Sequence, residues 1–66
     1  MEKFRAENSH LIDRKQVNRV TIFWAGSKLK AIDKFRQMRK EDPSIKEAGL
    51  FKVSDNSLVD EYIGYI

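Results

Sequence analysis

The 66-residue chain contains no cysteine and a single histidine, which excludes several ways in which small proteins are stabilised. Without cysteine there is no disulfide, and no Cys/His cluster could hold a structural zinc ion. A chain of this length forms one domain and buries only about 60% of the surface that its unfolded form exposes. Its stability must therefore come from an efficient apolar core or from self-association. The lack of cysteine also fits a reducing compartment.

Long apolar runs are missing as well, which bears on whether the protein enters a membrane or is secreted. No stretch approaches the roughly 20 apolar residues that cross a bilayer as a helix, and the N-terminal segment has no apolar centre typical of a secretory signal. Hydrophobic residues make up 41% and charged residues 35% of the chain, a balance that favours a folded domain over a disordered one. We therefore expect a soluble, full-length cytoplasmic protein with no membrane contact.

Acidic residues are scarce before the last third of the chain, so the net charge of +3 is unevenly distributed. Residues 28–40 carry six cations and one acid, whereas residues 41–66 carry two cations and six acids. This polarity suits a partner with a negative surface or a head-to-tail contact between copies.

Alternating side chains predict a strand over residues 17–25. We expect Val20, Ile22 and Trp24 to face the core. The other face then carries a mixed set of side chains, namely Val17, Arg19, Thr21 and Phe23.

A helix is predicted from Ser27, a favourable N-cap residue, to about residue 41. Its apolar stripe repeats at 3.6-residue spacing and consists of Ala31, Ile32, Phe35 and Met38. The step Asp42-Pro43 ends this helix, because the residue before proline avoids the helical region. A short second turn is expected to follow, with Gly49 as its terminator.

The two ends of the chain leave alternatives open. Residues 50–54 read as a strand, followed by turn residues at Asp55-Asn56. Residues 57–66 suit either a returning strand or a helix capped by Ser57, and Gly64 favours the strand. Residues 1–16 form either a loose helix or an extended arm that pairs with the next strand.

The predicted fold class is α+β. It comprises a small three-stranded sheet in the order β-α-β-β, packed on one main basic amphipathic helix, with an N-terminal arm. We expect residues 1–16 to be this arm and residues 17–66 to be a single small domain.

The junction Gly26-Ser27-Lys28 is a candidate anion site. Free N–H groups and the dipole at a helix N-terminus favour an anion, and Lys28 adds a cation. The spacing is not that of a phosphate-binding P-loop. The simpler interpretation is that Ser27 is an ordinary cap beside solvated lysines.

The basic helix face is the main candidate for a partner-binding surface. Clustered cations with a neighbouring aromatic suit an acidic protein surface or nucleic-acid phosphates. The predicted partner-binding residues are Arg19, Phe23, Lys28, Lys30, Lys34, Arg36 and Lys40. A solvated helix face is the alternative. The seven aromatic residues exceed what one small core holds, so some should lie on the sheet face away from the helix.

No pattern of catalytic residues or metal ligands is visible, so we expect no enzyme activity, catalytic site, metal or cofactor. The expected function is that of a small regulatory or inhibitory binding protein whose partner is a protein with an acidic surface. Nucleic-acid binding through the same helix is the first alternative. A structural homodimer formed through the C-terminal strand is the second.

Overall fold

The structure, a computed structural model, is a four-stranded antiparallel sheet with one helix on one of its faces. It describes residues 1–43, 45, 47–55 and 59–66, and for residues 9–12 the backbone alone. The elements in chain order are β1 (Glu2–Ile12), β2 (Lys15–Ala25), α1 (Lys28–Glu41), β3 (Ala48–Lys52) and β4 (Glu61–Tyr65). The strand order across the sheet is β2-β1-β3-β4. The α+β class is confirmed, but the sheet has four strands because the N-terminal residues form β1.

β1 and β2 form a long hairpin, which is the extended alternative for the N-terminal arm. They pair one to one from Glu2↔Ala25 to Ile12↔Lys15. The turn residues Asp13 and Arg14 both have positive φ, 50° and 66°, as a tight hairpin turn requires. β3 pairs only with residues 4–8 of β1, so the rest of the hairpin extends beyond the sheet as a two-stranded ribbon.

Helix α1 begins and ends where the sequence predicts. The Ser27 hydroxyl accepts a hydrogen bond from the Lys30 N–H at 3.2 Å. At the other end, the N–H of Asp42 donates to the carbonyl of Met38 at 2.9 Å. The predicted apolar stripe faces the sheet, since Ala31 and Phe35 are buried and Ile32 and Met38 are partly buried.

β3 and β4 form the predicted C-terminal hairpin, with an irregularity between Leu50 and Phe51. Gly49 lies inside β3, so its predicted role as a helix terminator is wrong. Ile66 continues the pairing, because its N–H and C=O bond the C=O and N–H of Ala48 at 2.8 and 3.0 Å. The turn residue Asn56 and the alternative cap Ser57 lie outside the described residues.

The core lies between α1 and the sheet. Phe4 stacks on Phe23 with ring centroids 6.0 Å apart, and Phe35 of the helix is fully buried nearby. Small residues let the helix approach the strands closely. The buried apolar residues are Phe4, Ala6, Phe23, Ala25, Ala31, Phe35, Ile45, Ala48 and Leu50.

The two faces of β2 are the reverse of the prediction. Phe23 is 6% exposed, whereas Val20, Ile22 and Trp24 are 56%, 48% and 50% exposed. Both faces of this strand carry bulky apolar residues, so alternation alone does not identify the buried one. The position of α1 decides it, because the helix lies on the side of Phe23 and covers it.

Candidate binding surface

The sheet face opposite α1, called the open face below, is uncovered in the described part of the chain. Its residues alternate with the core residues and are paired across the strands, as in Lys3↔Trp24, Arg5↔Ile22 and Phe51↔Tyr62. The open face consists of Lys3, Arg5, Glu7, Val20, Ile22, Trp24, Phe51, Tyr62 and Tyr65. The exposure of Tyr62 and Tyr65 agrees with the expectation that surplus aromatics lie away from the helix.

Arg5 organises the centre of the open face. Its guanidinium lies 4.1 Å from the ring centroid of Phe51, and its Nε donates to a carboxylate oxygen of Asp60 at 3.2 Å. Arg5 also pairs with Glu7, while Phe51 contacts Tyr62 at 5.2 Å between centroids. Two carboxylates therefore more than offset this cation, so the centre of the face is fixed and carries no net positive charge.

Trp24 lies at the edge of the open face in cationic surroundings. The Nζ of Lys3 is 6.0 Å from its ring centroid, within the range of a cation–π contact. The Nζ of Lys34 donates to the Trp24 carbonyl at 2.8 Å. Trp24 is also the only tryptophan of the chain, so its fluorescence reports on this surface alone.

β2 is an edge strand, and no described strand pairs with its outer side, the β2 edge (residues 18–24). The Lys3 carbonyl accepts from the Val53 N–H, so Lys3 turns its backbone groups toward β3. Its partner Trp24 must then turn its own groups away from β1, because opposite residues in antiparallel strands alternate in this way. By the same alternation, Val20 and Ile22 present their N–H and C=O groups at the β2 edge.

Cations border the β2 edge on the side of the helix. Arg19 forms a long ion pair with Asp42 at 4.0 Å. The Nζ of Lys34 reaches the carbonyl of Trp24, near the end of β2. The stem of Lys30 lies over Gly26, where an added Cβ would be only 3.3 Å from its Cδ. β2 itself contains no acidic residue, so this edge is positively charged.

The predicted basic residues do not form one face. At about 100° per residue, Lys34 and Arg36 lie roughly 160° apart around the helix, and Lys34 is on the β2 side. Arg36 and Lys40 lie on the opposite flank. Lys28 forms an ion pair with Glu61 of β4. The predicted set is thus divided between the two sides of the helix.

The prediction that Phe23 binds a partner is wrong, because Phe23 stacks on Phe4 in the core and is unavailable to a partner. Its neighbour Trp24 takes the exposed position. The alternation of β2 correctly placed Phe23 and Trp24 on opposite faces, but the buried and exposed faces were assigned the wrong way round.

At the Gly26-Ser27-Lys28 junction, the structure supports the simpler interpretation of Ser27. Its hydroxyl caps the helix, and Lys28 turns toward Glu61. Anion binding there stays a prediction of the sequence.

Another ion pair joins the start of β1 to the end of β3. Lys52 donates to Glu2 at 2.8 Å. This hydrogen bond lowers the pKa of the Glu2 carboxyl and raises the pKa of the Lys52 ammonium. Lys28 and Lys52 are therefore both paired with carboxylates.

Comparison with protein-family models, with curated proteins and with solved structures finds no match to this chain. Within residues 1–43, 45, 47–55 and 59–66, no helix has the length and apolar character needed to span a membrane. The same residues contain no group of three or more His, Cys, Asp or Glu side chains that could hold a metal ion. Arguments about function therefore rest on the open face and the β2 edge.

Proposed function

We propose that the protein is a small, non-enzymatic regulatory protein that binds an acidic region of another protein with its open face and β2 edge. The observation that carries this proposal is the row of Val20, Ile22 and Trp24, which are all about half exposed on one strand. Apolar patches with a polar rim are typical of protein interaction sites. The cationic rim beside this row favours an acidic partner.

A protein partner suits this surface better than a nucleic acid. The aliphatic side chains of Val20 and Ile22 gain from dry contact with other apolar groups and offer nothing to a phosphate. The cations of Arg5 and Lys28 are already paired with carboxylates. These two cations are therefore less available to the phosphates of a nucleic acid.

Nucleic-acid binding remains the second candidate because of Trp24. Lys3 lies near its exposed ring and Lys34 bonds its backbone carbonyl, an arrangement that suits stacking on a base beside a phosphate. Such binding should weaken steeply with salt, since it releases counterions.

Site-specific photo-crosslinking tests the proposal. A benzophenone side chain at Val20 on the open face should crosslink to a protein in nuclease-treated extract of the source cells. The same group at Gln37, on the outer side of the helix, is the matched control and should not. The substitution Ile22→Lys should abolish the Val20 crosslink, whereas Gln37→Lys should leave it unchanged.

Equal crosslinking from both positions would contradict the assignment of the surface. A Val20 crosslink that appears only with nucleic acid would replace the leading function by the second candidate. Circular dichroism of Ile22→Lys checks that the fold is retained, as the half-exposed position leads us to expect.

A further inference from the structure

The β2 edge is the longest uncovered backbone in the described part of the sheet, and we propose that it binds the partner as an added β-strand. The proposed occupant is an extended segment of another protein in which acidic and apolar residues alternate. This inference rests on the proposed function and specifies how the partner is held.

The first argument is the regularity of the edge. β2 has eleven residues and pairs with β1 one to one throughout. Natural sheets protect such edges with proline, bulges, very short strands or charged side chains. β2 has no proline, no bulge and full length, and its charged side chains are Lys15 and Arg19. The other edge strand, β4, has only five residues and pairs with β3 irregularly. A long, regular edge favours recognition through main-chain hydrogen bonds.

The second argument is the set of backbone groups that the edge presents. Val20 and Ile22 point both N–H and C=O outward, by the alternation derived above. The carbonyl of Trp24 already accepts a hydrogen bond from Lys34, so the Lys34 side chain occupies this end of the edge. An added strand would therefore pair with the stretch before Trp24.

The third argument concerns the chemistry of the occupant. Alternate side chains of an added strand would lie beside Val20 and Ile22 on the open face, where apolar residues fit. The intervening side chains would lie on the helix side near Lys34 and Arg19, where carboxylates fit. Arg19 would share its charge between them and Asp42, which lies 4.0 Å away. The pattern that matches both sides is therefore acidic and apolar in alternation.

A second copy of the chain is a poorer occupant for the same reason. β2 carries Lys15 and Arg19 and no acidic residue. Pairing two β2 strands would place the cations of both copies along one seam, with no carboxylate on either strand to balance them.

The experiment uses a blocked peptide of about eight residues in which Val and Glu alternate, with Trp24 fluorescence as the readout. Two further versions carry N-methyl groups on every second amide, one on the Val amides and the other on the Glu amides. The version whose methyl groups face β2 should bind at least about tenfold more weakly than the parent peptide, because those methyl groups remove hydrogen bonds. The other version should bind nearly as well as the parent peptide.

Charge variants on opposite flanks of the helix provide the matched control. Lys34→Glu should weaken binding of the Val/Glu peptide and strengthen binding of a Val/Lys peptide. Arg36→Glu makes the same change in charge on the far flank and should have a much smaller effect. In hydrogen exchange, the amides of Val20 and Ile22 should gain protection when the peptide binds.

The contrary outcomes separate the two proposals. Equal binding of both methylated peptides would overturn strand addition and leave binding at the open face intact. Equal effects of Lys34→Glu and Arg36→Glu would mean non-specific attraction and would also overturn it. A fluorescence response to oligothymidylate but to no peptide would overturn both proposals. Sedimentation as a dimer with Val20 and Ile22 already protected would make a second copy the occupant.

Discussion

Replacing Asn8 by leucine should stabilise the fold, although asparagine is the residue that the protein carries. Asn8 lies on the helix side of β1 and is 5% exposed. Among the residues that the structure describes, neither its amide nitrogen nor its amide oxygen has a hydrogen-bond partner. Leucine has the same branching, with methyl groups in place of the two amide atoms, so the change removes both unpaired polar groups and keeps the shape.

The expected gain follows from two opposing terms. Each buried polar group without a partner costs about 1–3 kcal/mol, so removing both releases about 2–6 kcal/mol. Fitting slightly larger methyl groups beside the cross-strand neighbours Arg19 and Ala48 costs about 1–3 kcal/mol. The central values, about 4 and about 2 kcal/mol, leave a net gain of about 2 kcal/mol. This gain is large for a domain whose total stability is roughly 3–10 kcal/mol.

Urea unfolding followed by circular dichroism measures this change. Asn8→Leu should move the midpoint to higher urea with an unchanged slope, since the surface exposed on unfolding is nearly the same. In a thermal scan the same gain corresponds to an increase of roughly 8–16 °C in the unfolding midpoint.

Asn18→Leu is the matched control, because Asn18 is the same residue type at an exposed position on the other strand of the hairpin. Its effect should stay within about 0.5 kcal/mol. The reasoning is refuted if Asn8→Leu lowers the midpoint while Asn18→Leu does not. That result would mean that the Asn8 amide has a bonded partner in solution.

Two further predictions concern the core and the pH dependence of stability. Phe23→Ala should cost about 3–5 kcal/mol, whereas Trp24→Ala should cost about half as much or less because half of its surface stays in water; equal urea midpoints would contradict the face assignment. The Lys52 ammonium lowers the pKa of Glu2, so this carboxylate stabilises the fold above the ordinary carboxyl pKa, and the contribution is lost as pH falls through the lowered value. Thermal scans at about pH 7 and about pH 3 should therefore show a smaller loss for Glu2→Gln than for the natural chain, and equal losses would exclude the pair as a contributor.

Local signals in the sequence were sufficient for the helix, whereas for residues 57–66 they favoured a returning strand but left a helix open. Ser27 and Asp42-Pro43 fix the ends of α1 through hydrogen bonds and steric restrictions that involve only neighbouring residues. The spacing of Ala31 and Phe35 identifies the buried stripe for the same reason. These features need no knowledge of distant parts of the chain.

β1 was harder to predict because its residues gain their strand conformation from partners on both sides. Charged residues and small Ala6 dilute its alternation, and a buried Asn8 contradicts it. Pairing with β2 and β3 supplies the hydrogen bonds that settle the conformation. Such pairing is decided by the sheet as a whole and outweighs local preference.

For the candidate site, the sequence alone determined that the chain is basic in its first two thirds, has more aromatics than one core can hold, and has a strand followed directly by a capped helix. Only the tertiary structure decided which face of that strand is buried. Alternation favours residues 20, 22 and 24 as the buried set, but the packing of α1 over Phe23 leaves Trp24 exposed. The same packing divides the helix cations between two flanks and leaves the β2 edge open. Alternation fixes which residues share a face, but only contact with the rest of the fold determines which face water reaches.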